Sequence, residues 1–526
     1  MAPSPQRSPN HALSRRQLMA AIGAATAAAT GVLAAASPAH ATPPAGAQHQ
    51  LRGLWIASVV NIDWPGAPGL SPERLRADFI SQLDRARTLG VNAVFVQIRP
   101  TADAFWPSPL EPWSQWLTGT QGQDPGWDPL EFMVRAAHER ALAFHAWFNP
   151  YRVSMQPDPT RLVPDHPARL HPEWTVSYGG KLYYNPGVPQ AREFCQRAMM
   201  DAVHRYDIDG VHFDDYFYPY PVAGQDFPDD AAFTAHGTGF PDRAAWRRHN
   251  VDLMVREMRD LVRAARPEAA FGISPFGVWR NDTSDPAGSA TTAFQSYDGL
   301  HADTRSWVHN GWLDYIAPQL YWNIGLAVAD YGRLAPWWAA QTTGTGTQLW
   351  IGQSVYKAGA TGQPAPWQDP AELSRHLTLN STLDAISGDI LFSAKDVWAD
   401  RLGSVTRMAA DHWQRPALVP VLPRLASGAA PTRPLVLPPR HGESGLRLTA
   451  GHGPGTRRPF QFAVYRYDRN PGPRPPLSAE HLTALVPASA GRFQDPAGTR
   501  SAWYVATAVD RVGRESRPSA AMRLSR

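Results

Sequence analysis

Short apolar segments recur along most of the chain, and longer segments with helical periodicity lie between them. Eight apolar segments have the length of strands, at residues 54–59, 93–98, 143–148, 210–213, 271–274, 315–320, 349–354 and 389–393. Several are apolar at nearly every position, which is typical of strands buried on both faces of a parallel sheet. The pattern therefore predicts an α/β fold built on a parallel sheet.

The segments between these strands predict helices at 71–90, 128–140, 189–206, 243–265, 329–340, 371–386 and 399–412. The first begins with Ser71 and Pro72, a capping residue followed by proline at the first helical position, and ends at Gly90. This alternation of strand and helix predicts a (β/α)8 TIM barrel over residues 48–415. A doubly wound parallel sheet is the alternative architecture.

The pattern changes after about residue 415. Residues 416–429 are proline-rich and predict a linker, and residues 430–526 predict a small all-β sandwich, because 460–467 and 503–510 alternate without helices between them. The segment from Tyr504 to Ser516 resembles the last strands of a fibronectin type III domain, with the pattern Y-x-x-x-A-V-D-x-x-G-x-E-S. Carbohydrate binding and simple spacing are both open as its role.

Residues 1–41 have the features of an export signal. Arg15 and Arg16 precede an alanine-rich apolar run, and an A-x-A cleavage pattern ends at Ala41. We expect twin-arginine export, cleavage near Ala41 and a periplasmic or extracellular product; a Sec-type signal or a retained anchor is the alternative. The apolar run is short for a permanent span, and no cysteine stands near the cleavage region to carry a lipid, so we expect no membrane anchor.

Composition narrows the class of partner. The net charge of +4 is small for 526 residues and no Lys/Arg-rich run occurs, so we expect no nucleic-acid partner. The hydrophobic fraction of 43% supports a large core. Cys195 is the single cysteine, which excludes an internal disulfide and disfavours a cysteine-based metal site. The oligomeric state is left open.

Candidate chemistry follows from the barrel, because a TIM barrel carries its site at the carboxyl ends of its strands. Carboxylates, amides, arginines and aromatic rings cluster there, as a sugar-binding cleft requires. The predicted substrate-binding residues are Arg99, Asp103, Trp113, Asn149, Tyr151, Arg152, His212, Tyr216, Gln319, Tyr321 and Trp322. The chain has no G-x-S-x-G, no P-loop, no H-E-x-x-H and no G-x-G-x-x-G after a strand, so we expect neither cofactor nor metal.

The candidate catalytic residues are Asp214, Asp215 and Glu111. Side chains alternate along a strand, so Asp214 shares a face with His212 and points into the cleft, while Asp215 lies at the lip. One carboxyl group is expected to stabilise or attack an oxocarbenium-like centre while another protonates the leaving oxygen. Asp215, Glu111 and Asp103 are candidates for the acid. Hydrogen bonding within the loop is the alternative role for the two aspartates, and a cation held by them is left open.

The chain resembles a known bacterial TIM-barrel family, the glycosyl-hydrolase-like ten family. The matching segments are RGLW (52–55), QIRPTADA (97–104), EPWS (111–114), FNPYR (148–152), DGVHFDDYFYP (209–219), ISPFG (273–277) and PQLYW (318–322). The resemblance implies a glycoside hydrolase acting on bacterial cell-wall glycan that contains N-acetylhexosamines, specifically peptidoglycan strands stripped of their peptides. Family members are often lipoproteins, but no cysteine stands near the cleavage pattern of this chain, so we expect no such anchor here.

Two neighbouring barrel patterns constrain the mechanism. Chitinase-like barrels carry D-G-x-D-x-D-x-E on the fourth strand; Asp209, Gly210 and Asp214 match it, whereas Tyr216 stands where the catalytic glutamate would be. Large retaining barrels place acids on strands four and seven, but strand seven here ends in Gln353. The arrangement that stays open is an aspartate nucleophile on strand four with an acid from another element of the barrel. A non-catalytic glycan-binding barrel is the alternative function, and a deacetylase would need a metal triad that the sequence does not supply.

Overall fold

A closed eight-stranded parallel barrel forms the larger part of the molecule. The structure, a computed structural model, describes residues 48–441, 444–450, 459–496 and 502–523, so the predicted export signal lies outside the described residues. The barrel strands are β1 Leu51–Ile56, β2 Ala93–Arg99, β3 Ala143–Phe148, β4 Gly210–Phe213, β5 Ala270–Ile273, β6 Tyr315–Ile316, β7 Gln348–Ser354 and β8 Ile386–Phe392. Each strand pairs with the next and β8 pairs with β1, which confirms the barrel and excludes an open sheet.

One helix follows each strand on the outside of the barrel: α1 Pro72–Leu89, α2 Pro129–Glu139, α3 Pro189–Arg205, α4 Arg243–Ala265, α5 Thr304–His309, α6 Tyr331–Thr342, α7 Glu372–Asn380 and α8 Ser404–His412. Shorter helices in the connections are Gln115–Thr118, Pro167–Leu170, Asp230–His236, Ser296–Gly299 and Ala394–Ala399. Helix α1 starts as predicted, because the Ser71 hydroxyl accepts a hydrogen bond from the Arg74 N–H. Helix α7 ends before the predicted residue 386, where β8 already begins.

The strands of the structure differ from the predicted ones in two places. The predicted strand 315–320 contracts to β6, because Pro318 has no N–H to donate and the chain beyond it makes only isolated bridges. A three-stranded antiparallel sheet in the connection between β3 and α3 was not predicted. We call it the accessory sheet; its strands are Arg152–Ser154, Thr175–Tyr178 and Lys181–Tyr184.

The barrel interior is filled by large rings, and two glycines make room for them. A Cβ on Gly210 would lie 2.3 Å from the ring of His145, and one on Gly272 would lie 2.3 Å from the ring of Tyr315. Both rings are buried. The interior is therefore a packed core below the strand ends, and any cleft has to lie above it.

The C-terminal region is an all-β sandwich. Its strands are Leu435–Leu437, Leu446–Thr449, Gln461–Tyr467, Leu482–Pro487, Arg492–Phe493, Trp503–Val509 and Met522–Arg523, and they form antiparallel sheets of three and four strands. A buried apolar layer that includes Phe462 and Tyr504 joins them. The preceding stretch 416–429 is packed rather than free, since Leu418 pairs with Gln48 and Leu422 packs against the barrel interior.

The sandwich contacts the barrel at the amino ends of its strands. Asp209, one residue before β4, accepts hydrogen bonds from the backbone N–H of Phe144 at 2.7 Å, from the His138 ring at 2.8 Å and from Arg511 of the sandwich at 2.8 Å. These contacts hold the pKa of the buried Asp209 carboxyl far below its usual range despite its burial. Within the described ranges, no helix has the length and apolarity to cross a membrane.

Candidate active site

A cleft of about 520 Å³ opens above the carboxyl ends of the barrel strands. Four of the predicted site residues line it: Arg152, Asp214, Tyr216 and Tyr321. The other lining residues are Ala57, Val59, Val60, Ile62, Gln97, Trp147, Met155, Gly179, Gly180, Lys181, Tyr183, Tyr356 and Phe392. The cleft has the size of a small-molecule site, and its rings provide flat faces on which sugar rings can stack.

Asp214 is the one carboxylate among the residues that line the cleft. The strand alternation that buries Phe213 against the helices turns Asp214 inward, as predicted. Its Oδ2 accepts hydrogen bonds from Asn149 at 2.6 Å and from the Trp147 indole at 3.2 Å, and its Oδ1 accepts one from the backbone N–H of Tyr216 at 3.0 Å. Three N–H donors suit an ionised carboxylate held in one orientation.

Asp215 lies beside the cleft rather than in its wall. The Tyr220 hydroxyl donates to its Oδ2, and the Gln319 amide donates to its Oδ1 at 3.3 Å. Gln319 also donates to the carbonyl of Ser274 at 2.7 Å, which fixes this amide across the ends of β5 and β6. The two aspartates therefore occupy different environments at the end of one strand.

Glu111 does not reach the cleft. Its carboxylate forms a two-point ion pair with Arg99, at 2.5 and 2.7 Å, and neither side chain has any exposed surface. Arg99 also donates to the carbonyl of Asn149 at 2.6 Å. The structure therefore corrects the expectation that Glu111 is the catalytic acid and the expectation that Arg99 binds substrate, because neither side chain is accessible to a substrate. The pair instead fixes the loop that carries Asn149.

Other predicted residues also lie outside the cleft. Asp103 is fully buried, and burial raises the pKa of its carboxyl to about 6. Tyr151 is fully buried in the layer between barrel and helices. Trp113 packs half-buried on the same core, and Trp322 packs against Phe276. None of the four lines the cleft, so substrate contact is not supported for them.

His212 is part of the barrel interior, one layer below Asp214. One ring nitrogen lies 3.1 Å from the Trp55 indole nitrogen and 3.1 Å from the Ser274 hydroxyl, and the other lies 3.0 Å from the Tyr315 hydroxyl. Burial holds the pKa of His212 well below its usual range, so the ring is neutral. His212 supports the cleft floor but does not line the cleft, so the expected contact with substrate is not supported.

Several cleft residues were missed by the sequence analysis. Trp147 follows from the alternation on β3, since it shares a face with Asn149 two residues later. Lys181 and Tyr183 come from the accessory sheet, whose signal is the Gly179-Gly180 pair between two short segments with strand-like patterns. Tyr356 follows the end of β7 and Phe392 is the last residue of β8, and no local pattern distinguishes them from core aromatics.

Nothing in the described ranges forms a metal centre, since no three His, Cys, Asp or Glu side chains converge there. A TIM barrel that holds a carboxylate in an aromatic cleft at its strand ends has the architecture of glycoside hydrolase barrels. The comparison with protein families agrees. The chain belongs to the glycosyl hydrolase-like 10 family, whose model matches residues 50–369.

Two similar proteins align with this chain over more residues than the family model does. The chain is 44% identical over 475 residues to glycosyl hydrolase YngK of Bacillus subtilis, covering 89% of this chain and 92% of the relative. It is 39% identical over 378 residues to glycosyl hydrolase DigH of Escherichia coli K12, covering 68% of this chain and 86% of the relative. Among solved structures, the PgaB (BpsB) glycoside hydrolase domain from Bordetella bronchiseptica matches with a TM-score of 0.46 and 16% identity, over 70% of this chain and 99% of that domain.

Proposed function

We propose that this protein hydrolyses glycosidic bonds in bacterial cell-wall glycan, with peptide-free peptidoglycan strands as the substrate. The observation that carries the proposal is the Asp214 carboxylate, fixed by three N–H donors at the floor of an aromatic cleft. The family supports glycosidic chemistry. The resemblance of segments such as FNPYR and DGVHFDDYFYP to relatives that act on stripped peptidoglycan supports the particular glycan.

Asp214 would act on the anomeric carbon, as a nucleophile or as the anion that stabilises the oxocarbenium-like transition state. The acid would protonate the glycosidic oxygen as the bond from that oxygen to the anomeric carbon breaks. Water then adds its hydroxyl group to the anomeric carbon, which breaks the bond to Asp214 where one has formed, and the proton of water passes to the carboxylate that acted as the acid. Asp215 is the remaining candidate acid, since Glu111 is held in its ion pair with Arg99 and Asp103 is fully buried outside the cleft.

Export and the role of the sandwich are parts of the same proposal. The twin arginines Arg15 and Arg16 and the A-x-A pattern ending at Ala41 support export to the compartment that contains the glycan. The division into sheets of three and four strands supports a fibronectin type III-like sandwich. None of the cleft-lining residues comes from it, and Arg511 ties it to the opposite end of the barrel, which favours a spacer.

A non-catalytic glycan-binding barrel is the second candidate. One observation favours it: among the residues that line the cleft, Asp214 alone carries a carboxylate, whereas hydrolysis with two carboxyl groups needs a second one within reach. A protein that only binds glycan would stack the sugars on the same aromatic rings of the cleft.

The test is mass-spectrometric analysis of products from purified peptidoglycan glycan, with and without its peptides. Wild type is compared with Asp214→Asn, Asp215→Asn and the exposed control Asp165→Asn. Short oligosaccharides from wild type and the control, but not from Asp214→Asn, would support hydrolysis, and preference for the stripped glycan would support the substrate. If no protein releases products while all bind the glycan, the binding barrel is correct and the hydrolase proposal fails.

A further inference from the structure

The accessory sheet presents one face to the cleft, and this face is cationic. Arg152 lies opposite Tyr183 in the antiparallel pairing, and Lys181 is two residues before Tyr183. Because side chains alternate along a strand, these three share a face, and all three line the cleft. Leu182 and Tyr184 point the other way into the main core. The alternation thus fixes which side chains a substrate meets.

The turn beside this face is tight and brings its backbone to the cleft. Gly179 and Gly180 have φ angles of +55° and +74°, values that favour glycine at both positions of a two-residue hairpin turn. Both glycines line the cleft, and Lys181 follows directly. The backbone of Lys181 is therefore positioned by a short hairpin rather than by a long loop.

Neutral groups hold Arg152 in place. The Nε of Arg152 donates to the carbonyl of Pro100 at 2.8 Å, and its guanidinium lies 5.3 Å from the centre of the Tyr216 ring. Neither Arg152 nor Lys181 forms a salt bridge with an Asp or Glu in the part of the chain that the structure describes. Burial and the nearby charge of Arg152 both lower the pKa of the Lys181 amine.

Arg152 and Lys181 carry like charges in one cleft, and an anion bound between them would relieve their repulsion. A guanidinium offers two parallel N–H donors to a carboxylate, and an ammonium adds a point charge beside it. The Asp214 carboxylate in the same cleft would repel the anion from the reaction centre. The charges thus separate the cleft into a part for the reacting bond and a part for an anionic substituent.

We propose that Arg152 and Lys181 form a subsite for a carboxylate borne by the sugar chain. This inference rests on the proposed function, and in a peptide-free peptidoglycan strand the group is the free lactyl carboxylate of the muramic acid residue. When a peptide is attached, the same carbon is a neutral amide that continues into a bulky chain. The subsite would therefore recognise the removal of the peptide by charge, and it would set the register of the glycan so that alternate sugars face the accessory sheet.

The test uses two glycans that differ only at this group: peptide-free strands, and the same strands with the lactyl carboxylate converted to its methylamide. Wild type, Arg152→Gln, Lys181→Gln and the exposed control Lys395→Gln are compared by kcat/KM on both substrates. Calorimetry measures the binding of both glycans to Asp214→Asn and to the double variants that combine it with each of these substitutions. The control removes the same charge from a lysine that does not line the cleft.

Wild type and the control should prefer the free carboxylate by about tenfold or more, the usual effect of losing a hydrogen-bonded charge. In Arg152→Gln and in Lys181→Gln, the ratio of kcat/KM on the free carboxylate to kcat/KM on the methylamide should fall towards one. No preference in wild type, or equal losses on both glycans in the variants, would overturn the subsite. If no protein releases products, a carboxylate preference in binding would keep the subsite while the hydrolase proposal fails, and its absence would end both.

Discussion

The side-chain amide of Gln97 donates to Oδ1 of Asn149 at 2.5 Å, and this contact decides which way the Asn149 amide faces. The Gln97 oxygen cannot take that place, because it already accepts the backbone N–H groups of Ser58 at 3.0 Å and Val59 at 2.9 Å. Asn149 must then turn its own N–H towards Asp214. Backbone groups at the end of β1 therefore orient the carboxylate at the end of β4 through two amides.

Gln97→Glu tests this chain of amides. The new carboxylate would still accept the two backbone N–H groups but would have no N–H for Asn149, so the Asn149 amide would turn its oxygen towards Asp214. We expect kcat on glycan to fall about 10- to 100-fold, since a mispaired buried polar contact costs about 1–3 kcal/mol. Gln123→Glu, on an exposed loop, is the control. A fall in melting temperature with unchanged kcat would show that the chain only stabilises the fold.

The roles of the two aspartates can be separated by leaving groups. Asp215→Asn should lose about 10²- to 10⁴-fold activity on natural glycan, whose leaving oxygen needs a proton, but far less on glycosyl fluorides, which do not. Asp214→Asn should lose activity on both, because Asp214 acts at the anomeric carbon. Steady-state rates on the two substrates provide the measurement. Equal losses on both substrates for Asp215→Asn would exclude it as the acid.

Glu111→Gln should affect stability more than catalysis. The substitution removes one charge from a fully buried ion pair and leaves Arg99 uncompensated, which typically costs about 3–5 kcal/mol. We expect a clearly lower melting temperature and, in the folded protein, a smaller loss of kcat than in Asp215→Asn. Thermal unfolding and initial rates on one preparation decide this. A normal melting temperature with abolished activity would restore Glu111 as a catalytic candidate.

Arg511→Met should loosen the sandwich from the barrel. Arg511 supplies charge-assisted contacts to the buried Asp209 and to the carbonyl of Asp207, and methionine keeps its apolar stem without its charge. We expect the first calorimetric transition to fall by about 3–6 °C, consistent with the cost of leaving a buried carboxylate partly unpaired. Arg469→Met removes an exposed arginine of the sandwich and should leave the transition in place. Equal transitions in the two variants would contradict the interface.

The same carboxylate gives a pH dependence of defined sign. The pKa of Asp209 is lower in the folded protein than its ordinary value of 3.8, so its stabilisation is complete above that pH and is lost as the pH falls below it. The difference in unfolding free energy between wild type and Asp209→Asn should therefore be larger at pH 7 than at pH 3. Denaturant unfolding at the two pH values measures it. A constant difference would show that the charge of Asp209 is not involved.

Local periodicity explains what could be predicted from the sequence. The alternation of apolar segments with helical ones predicted the closed barrel, and the alternation along β4 placed Asp214 in the cleft and Phe213 in the core. Loops have no such periodicity. Glu111 and Tyr151 therefore could not be separated from cleft residues in advance, and the accessory sheet, with its short strands, was missed.

The sequence by itself determined the order of elements, the barrel and the inward face of the strand that ends in Asp214, because these depend on patterns within a few residues. Only the tertiary structure decided which polar groups meet. Glu111 is paired with Arg99 outside the cleft, whereas Lys181 lines the cleft from a hairpin. Asp209 is only five positions before Asp214 in the chain, but it lies at the opposite end of the barrel. The physical reason is that a charge is buried or exposed according to partners distant in the chain, and no local pattern records those partners.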